Sequence, residues 1–262
     1  MERRTFIKGL AAAAAAWSAA AGAALPQPAE SEGGAARAPK EVLVFGDSNT
    51  YGWVWQKDAG VTRLPVQDTW PEVMARTLGE GVHVVTNAVG GRTVDISVPN
   101  SGAGDFSAET LNGMAALPGV LSAHAPLDLV VVMLGTNDMN ARHGRTALEI
   151  ALSLGRLAAY VRSGRWQSKT VFAAPKVLLI APPKIDEAKT AYGQAFRGSS
   201  AKSQALAGLL EKAAAAAGAE FMNGADTVPF AGQGDGIHLT AAQHRALGEA
   251  AAAKVRAILE AQ

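Results

Sequence analysis

This sequence contains no cysteine, which excludes a disulfide framework, a thiolate zinc site and a thiol nucleophile at once. It has almost no excess of either charge: 24 Lys and Arg stand against 23 Asp and Glu, a formal net charge of +1. Nucleic-acid binders carry a basic face, so no such partner is expected. No HExxH stretch occurs, nor carboxylates and imidazoles at metal-ligand spacing, and no metal is expected. The glycine pair Gly90-Gly91 lacks the GxGxxG spacing that a dinucleotide pyrophosphate needs. Aromatics are few, at 6%. What the chain does have is length and apolar content, 262 residues with 48% hydrophobic. That is ample for the core of one α/β domain or two small ones, and it excludes disorder as the general state.

The N-terminus stands apart from the rest. Arg3-Arg4 lies two residues before Phe6, Lys8 follows, and a mildly apolar, Ala-rich run extends from Gly9 to Ala24. At 16 residues that run falls short of the ~20 a spanning helix needs. The small pairs Ala21/Ala23 and Gly22/Ala24 offer cleavage sites. The segment resembles a bacterial twin-arginine export signal. Residues 1–24 are therefore expected to be a signal peptide, with the mature protein periplasmic or secreted and without a stable membrane anchor. Cleavage would remove three cations and one anion, taking the formal charge from +1 to −1. Residues 25–40, rich in Pro, Gly, Ala and Glu, read as a flexible linker.

Beyond the linker the pattern becomes regular. Short apolar runs at residues 41–45, 82–86, 127–134 and 176–181, with a weaker one at 220–223, suit buried strands. Helices are expected at 71–78, 146–161, 203–217 and 241–259, with Thr69 and Thr240 as N-caps. Strands alternating with helices imply right-handed βαβ units and a parallel sheet covered on both faces. One α/β domain over residues 41–262 follows. Segments 54–68 and 186–200 are long excursions, where substrate contacts or interfaces tend to lie.

Ligands of an open parallel sheet bind beyond the strands' carboxyl ends. Gly46-Asp47-Ser48-Asn49 follows the first run, Asn87 through Thr93 the second, Gly135-Thr136-Asn137-Asp138 the third, and Asp235-Gly236-Ile237-His238 precedes the last helix. One rim thus collects a hydroxyl, a glycine pair, an amide, a carboxylate and an imidazole. A serine hydroxyl becomes a nucleophile when an imidazole takes its proton, and the imidazole needs a carboxylate on its other nitrogen. The Gly91 N–H and the Asn137 amide suit a developing oxyanion. Asp47 is expected to fix its loop rather than react, and Asp138 to cap the next helix. His83 reads as packed or paired in its strand; His124, His143 and His244 read as surface or helix residues. Tyr51, Trp53 and Trp55 suit an acyl or alcohol pocket and suit core packing or an interface equally. Arg92 suits an anionic or sugar substrate and a surface salt bridge equally.

These four ordered blocks resemble those of the SGNH (GDSL-type) hydrolases over roughly residues 40–260. GDSNTYGWV, PLDLVVVMLGTND, APKVLLIAPP and DGIHLT are similar to the family's arylesterase/acyltransferase branch. The resemblance implies a flavodoxin-like three-layer α/β/α fold around a five-stranded parallel sheet, no cofactor, and a homo-oligomer. It implies Ser48 as nucleophile, His238 as base and Asp235 as the residue orienting it. The oxyanion hole would be the Ser48 and Gly91 N–H groups (Gly90 if the register slips by one) with the Asn137 side chain. Asn49 stands where the family more often has Leu, a departure read as silent for the chemistry. The implied activity is hydrolysis of small carboxylic esters through an acyl-enzyme, with acyl transfer to alcohols when water is kept out. A carbohydrate acetylesterase is the alternative enzyme. A non-catalytic surface binding protein is the alternative of another class, against which the complete catalytic set speaks.

Overall fold

The computed structural model describes residues 38–97, 109–169, 171–190, 192–232 and 234–261. The signal-peptide reading and nearly all of the linker reading therefore lie outside the described residues. Residues 38–262 gather into one unit.

Five strands, β1 (Lys40–Gly46), β4 (Val82–Ala88), β5 (Leu129–Met133), β6 (Lys176–Ala181) and β7 (Glu220–Asn223), form a sheet in the order β4-β1-β5-β6-β7. Every pairing in it is parallel. Counting these five alone the order is 2-1-3-4-5, the flavodoxin-like winding, and its switch point lies at β1. The remaining strands, β2 (Trp53–Gln56) and β3 (Gly60–Arg63), make an antiparallel hairpin. It occupies much of the expected 54–68 excursion.

Alternation along the central strands divides the core. Leu43, Phe45, Val130, Val132, Val177 and Leu179 pack toward α3 (Gly113–His124), α4 (Ala147–Arg162) and α5 (Ser199–Ala216). Val42, Val44, Leu129, Val131, Leu178 and Ile180 pack toward α2 (Trp70–Leu78) and α6 (Ala241–Glu260). Strands buried on both faces read as unbroken apolar runs rather than alternating ones, which is why they stand out in the sequence. Capping boxes start α4, with Thr146 and Glu149, and α6, with Thr240 and Gln243; caps of this kind are worth about 1 kcal/mol each. Thr69 is the N-cap residue of α2 but makes no side-chain cap bond. The Trp70 N–H instead donates to His244 Nδ1, 3.1 Å away. His244, expected at the surface or on a helix face, is on α6 but fully buried, and burial pushes its imidazole down to about 4.

Candidate active site

At the carboxyl end of β1 the chain turns through Asp47 into a single helical turn, α1 (Ser48–Tyr51). Asp47 Oδ1 accepts the Asn49 N–H at 3.0 Å and caps that turn, the structural role expected of it. Ser48 is 3% exposed, His238 3% and Asp235 not at all, yet the three form one hydrogen-bonded chain. The Ser48 hydroxyl lies 3.1 Å from His238 Nε2. His238 Nδ1 lies 2.5 Å from Asp235 Oδ2. The other carboxylate oxygen, Oδ1, accepts the N–H groups of Ile237 at 2.9 Å and His238 at 2.8 Å. Burial raises the Asp235 carboxyl, but the His238 ring and these two N–H groups outweigh it and hold the carboxyl below its ordinary value. The carboxylate is thus ionised wherever the imidazole needs it.

The Asp235-Gly236-Ile237-His238 turn depends on its glycine. Gly236 has φ +71°, and a Cβ there would sit 2.2 Å from the Asp186 carbonyl oxygen. In return the Asp186 N–H donates to the Gly236 carbonyl at 2.9 Å. This docks the start of the 186–200 excursion against the turn that carries His238. The turn that carries Ser48 grips it too: Asn49 Nδ2 donates to the Ile237 carbonyl and Asn49 Oδ1 accepts the Leu239 N–H, both at 3.0 Å.

On the other side of the rim, Asn137 Nδ2 donates to the Arg92 carbonyl at 2.9 Å, which places the amide beside the Gly90-Gly91 turn. Gly91 has φ +83°, whereas a Cβ on Gly90 would meet the Trp53 ring. Among the described residues, none accepts from the Ser48 or Gly91 N–H. Asp138 is structural as expected, though not as a helix cap. Its two oxygens accept the Val94 N–H at 3.2 and 3.0 Å, and Arg145 Nη1 lies 3.2 Å away. Arg145 continues to Asp95 at 2.5 Å, and Arg156 reaches the same carboxylate at 3.0 Å. Burial raises the Asp138 carboxyl to about 6, against the Val94 N–H and Arg145, which lower it.

Two of the expected substrate residues are engaged by other parts of the chain. Arg92 is 2% exposed; its guanidinium donates to the Gly46 and Asn87 carbonyls and to Asn87 Oδ1, and lies 4.1 Å from the Phe45 ring centroid. It braces the ends of β1 and β4, and no ion pair of Arg92 with a surface carboxylate occurs among the described residues. Tyr51 carries the Arg63 guanidinium 3.7 Å above its ring. It lines a groove of about 250 Å³ with Val66, Glu72 and Thr86, and none of Ser48, Asp235 and His238 lines that groove. Trp53 stays at the site, edge-on to His238 with ring centroids 5.7 Å apart. A residue the sequence did not single out, Tyr192, also meets this imidazole edge-on, 40% exposed and with ring centroids 6.2 Å apart. Its one signal was its position inside the 186–200 excursion. Among the described residues no three His, Asp or Glu side chains gather as a metal would require, and none of their helices is long and apolar enough to cross a membrane.

The sequence pattern of the GDSL-like lipase/acylhydrolase family matches residues 44–246. Among solved structures, the chain is similar to the carbohydrate acetylesterase Est24 from Sinorhizobium meliloti, with 37% identity and a TM-score of 0.75. It is also similar to the aryl esterase of M. smegmatis, with 35% identity and a TM-score of 0.76. Each alignment covers 84% of this chain and 99% of the other. No curated protein matches the chain.

Proposed function

The chain belongs to the GDSL-like lipase/acylhydrolase family, and from that premise we propose that Ser48 attacks small carboxylic esters with His238 as its base. The protein is an esterase of the SGNH type. The observation that carries the assignment of roles is the unbroken chain Ser48–His238–Asp235, with links of 3.1 and 2.5 Å. In this reading His238 Nε2 takes the Ser48 proton as Oγ attacks the ester carbonyl. The negative charge that develops on oxygen is met by the Ser48 and Gly91 N–H groups and by the Asn137 amide proton that does not face the Arg92 carbonyl. Collapse expels the alcohol, which takes its proton from His238, and leaves an acyl-enzyme. Water then repeats the sequence from the other side, and an alcohol in its place gives transesterification.

Trp53 and Tyr192 both pack edge-on to the imidazole, which supports short-acyl or aryl esters and gives the site two flat apolar contacts that disfavour water. The test is hydrolysis of p-nitrophenyl esters of increasing chain length by the protein and by Ser48→Ala. Activity greatest on acetate and butyrate, and lost by ~10⁴-fold or more in the variant, is the expected result; an unaffected variant overturns it. Similarity to Est24 favours a second reading, deacetylation of carbohydrates, which acetate release from acetylated xylan set against aryl acetates decides. Ester formation with added alcohol in water tests the transferase activity.

Export by the twin-arginine route to the periplasm or beyond rests on residues 1–24 as a sequence; replacing Arg3 and Arg4 by Lys is expected to retain the protein in the cytoplasm. A homo-oligomer rests on the family resemblance, and analytical ultracentrifugation tests it.

A further inference from the structure

The residue after the nucleophile is neither exposed nor apolar. Asn49 is 2% exposed, and its side chain spends both hydrogen-bonding atoms on the backbone of a loop almost two hundred residues away. Nδ2 donates to the Ile237 carbonyl and Oδ1 accepts the Leu239 N–H, each at 3.0 Å. The two peptide groups straddle His238. The remaining backbone donor there, the His238 N–H, is taken by Asp235 Oδ1 at 2.8 Å. The base is therefore held from two directions, by its own carboxylate partner and by the residue bonded to its own nucleophile.

We propose that Asn49 is a positioning residue for the esterase reaction: its side-chain amide sets the distance and angle between His238 and Ser48. The inference rests on the reading of Ser48 and His238 as nucleophile and base. Ser48 and Asn49 share one helical turn whose geometry Asp47 fixes through the Asn49 N–H, so any shift of the 235–239 loop against that turn changes the 3.1 Å Ser48–His238 separation directly. An amide suits the task because it offers one donor and one acceptor in a plane, matching a carbonyl and an N–H on one stretch of backbone. Leu has a similar branched shape and neither group. The departure from the family's commoner Leu is therefore not silent. In this chain it adds a clamp between two of the four blocks that build the site.

The experiment compares Ser48→Ala, Asn49→Leu, Asn49→Asp, His238→Ala and the double variant Asn49→Leu/His238→Ala on p-nitrophenyl acetate, with melting temperatures alongside. Because small misplacements of reacting groups cost ~100-fold, Asn49→Leu is expected to lose about that in kcat while KM moves by less than about twofold. Asn49→Asp keeps an acceptor for the Leu239 N–H but sets a carboxylate oxygen against the Ile237 carbonyl, so a loss of ~100-fold or more is expected. In the His238→Ala background the Asn49→Leu change is expected to cost less than about twofold, since groups acting as a unit are not additive. A merely structural residue would lower activity equally in both backgrounds and in step with the folded fraction. The proposal is overturned by a folded Asn49→Leu whose kcat stays within about threefold of the parent, or by equal losses in both backgrounds. If Asn49→Leu does not fold, Asn49→Asp carries the same comparison by itself. Activity surviving in Ser48→Ala would instead overturn the nucleophile assignment, so the two failures are told apart.

Discussion

The loop that carries His238 and the loop that carries Asn137 serve the same rim, yet backbone groups, one amide and one carboxylate hold the first and a series of ions holds the second. Around His238 the partners are the Asn49 amide, the Asp186–Gly236 backbone pair and the N–H groups closing on Asp235 Oδ1. Around Asn137 they are the Asp138, Arg145, Asp95 and Arg156 side chains in series, reaching the 92–95 segment through the Val94 N–H. The proposed base thus has Asp235 as its one ion-pair partner, with the buried Asp47 carboxyl near enough to feel its charge and the Asp186–Lys189 pair farther out. The side proposed to present N–H donors carries a network of four ions. A fixed charge close to the base would bias its protonation, whereas an oxyanion donor needs rigidity.

The largest effect that tests this division is expected from Asp235→Asn. The amide would support the wrong imidazole tautomer and could not stabilise the imidazolium, so kcat should fall by ~10⁴-fold with the fold intact. Steady-state kinetics with a parallel melting curve checks it; a fall below tenfold would mean that His238 is oriented by something else. Next in size is Asp138→Ala. It leaves the buried Val94 N–H unpaired and deprives Arg145 of one of its two carboxylates, and a buried donor stripped of a charged acceptor costs ~3 kcal/mol. Urea unfolding reads the stability loss. Its activity should fall because Asn137 loses its support, with the Ser48–His238–Asp235 chain untouched.

The strand-end residues were legible because a polar group at the end of an unbroken apolar run is in the place where an open sheet binds its ligand. Ser48 and the Gly135–Asn137 block needed no more than that, whereas Asp235 and His238 stood out as a carboxylate and an imidazole three residues apart just before the last helix. Helix α3 was missed because it is apolar on most faces and holds Pro118, which erases the 3.6-residue contrast. The β2–β3 hairpin was missed because each strand is four residues long, too short for alternation to show. Arg92 was misread because charge in sequence suggests exposure; its burial rests on three carbonyl-type acceptors that only the fold brings together. The Asn49 bonds to the 237–239 backbone were not foreseen, as no local pattern reveals a partner loop at the far end of the chain.

Asp47 sits where the two regions meet, and it is the group they serve least well. Its Oδ1 caps α1, but among the described residues Oδ2 has no partner. Burial pushes its carboxyl up to about 7, against the Asn49 N–H and the charges of His238 and Arg92, which lower it. In the unfolded chain the same carboxyl titrates near 3.8. Between those values the folded protein holds a proton that the unfolded chain has lost, so this group adds stability as pH falls through 7 and withdraws it as pH rises. From pH 8 to pH 5 the gain is roughly 3 kcal/mol. Asp47→Asn has no carboxyl to titrate, so the difference in unfolding free energy between parent and variant should change by that amount over the same range; parallel curves would refute it.

The smallest effect is expected at the outer end of the ion series. Arg156 is 61% exposed on its side chain and touches Asp95 and Ser153. Exposed pairs are worth ~0.2–1 kcal/mol and weaken with salt. Arg145 already holds Asp95 from the buried side at 2.5 Å. Arg156→Ala should therefore cost about 0.5 kcal/mol or less at low salt and nothing measurable near 1 M. If it instead cost as much as Asp138→Ala, the four ions would be acting as one cooperative unit out to the surface, and the loop that holds Asn137 would be as dependent on ionic strength as it is on burial.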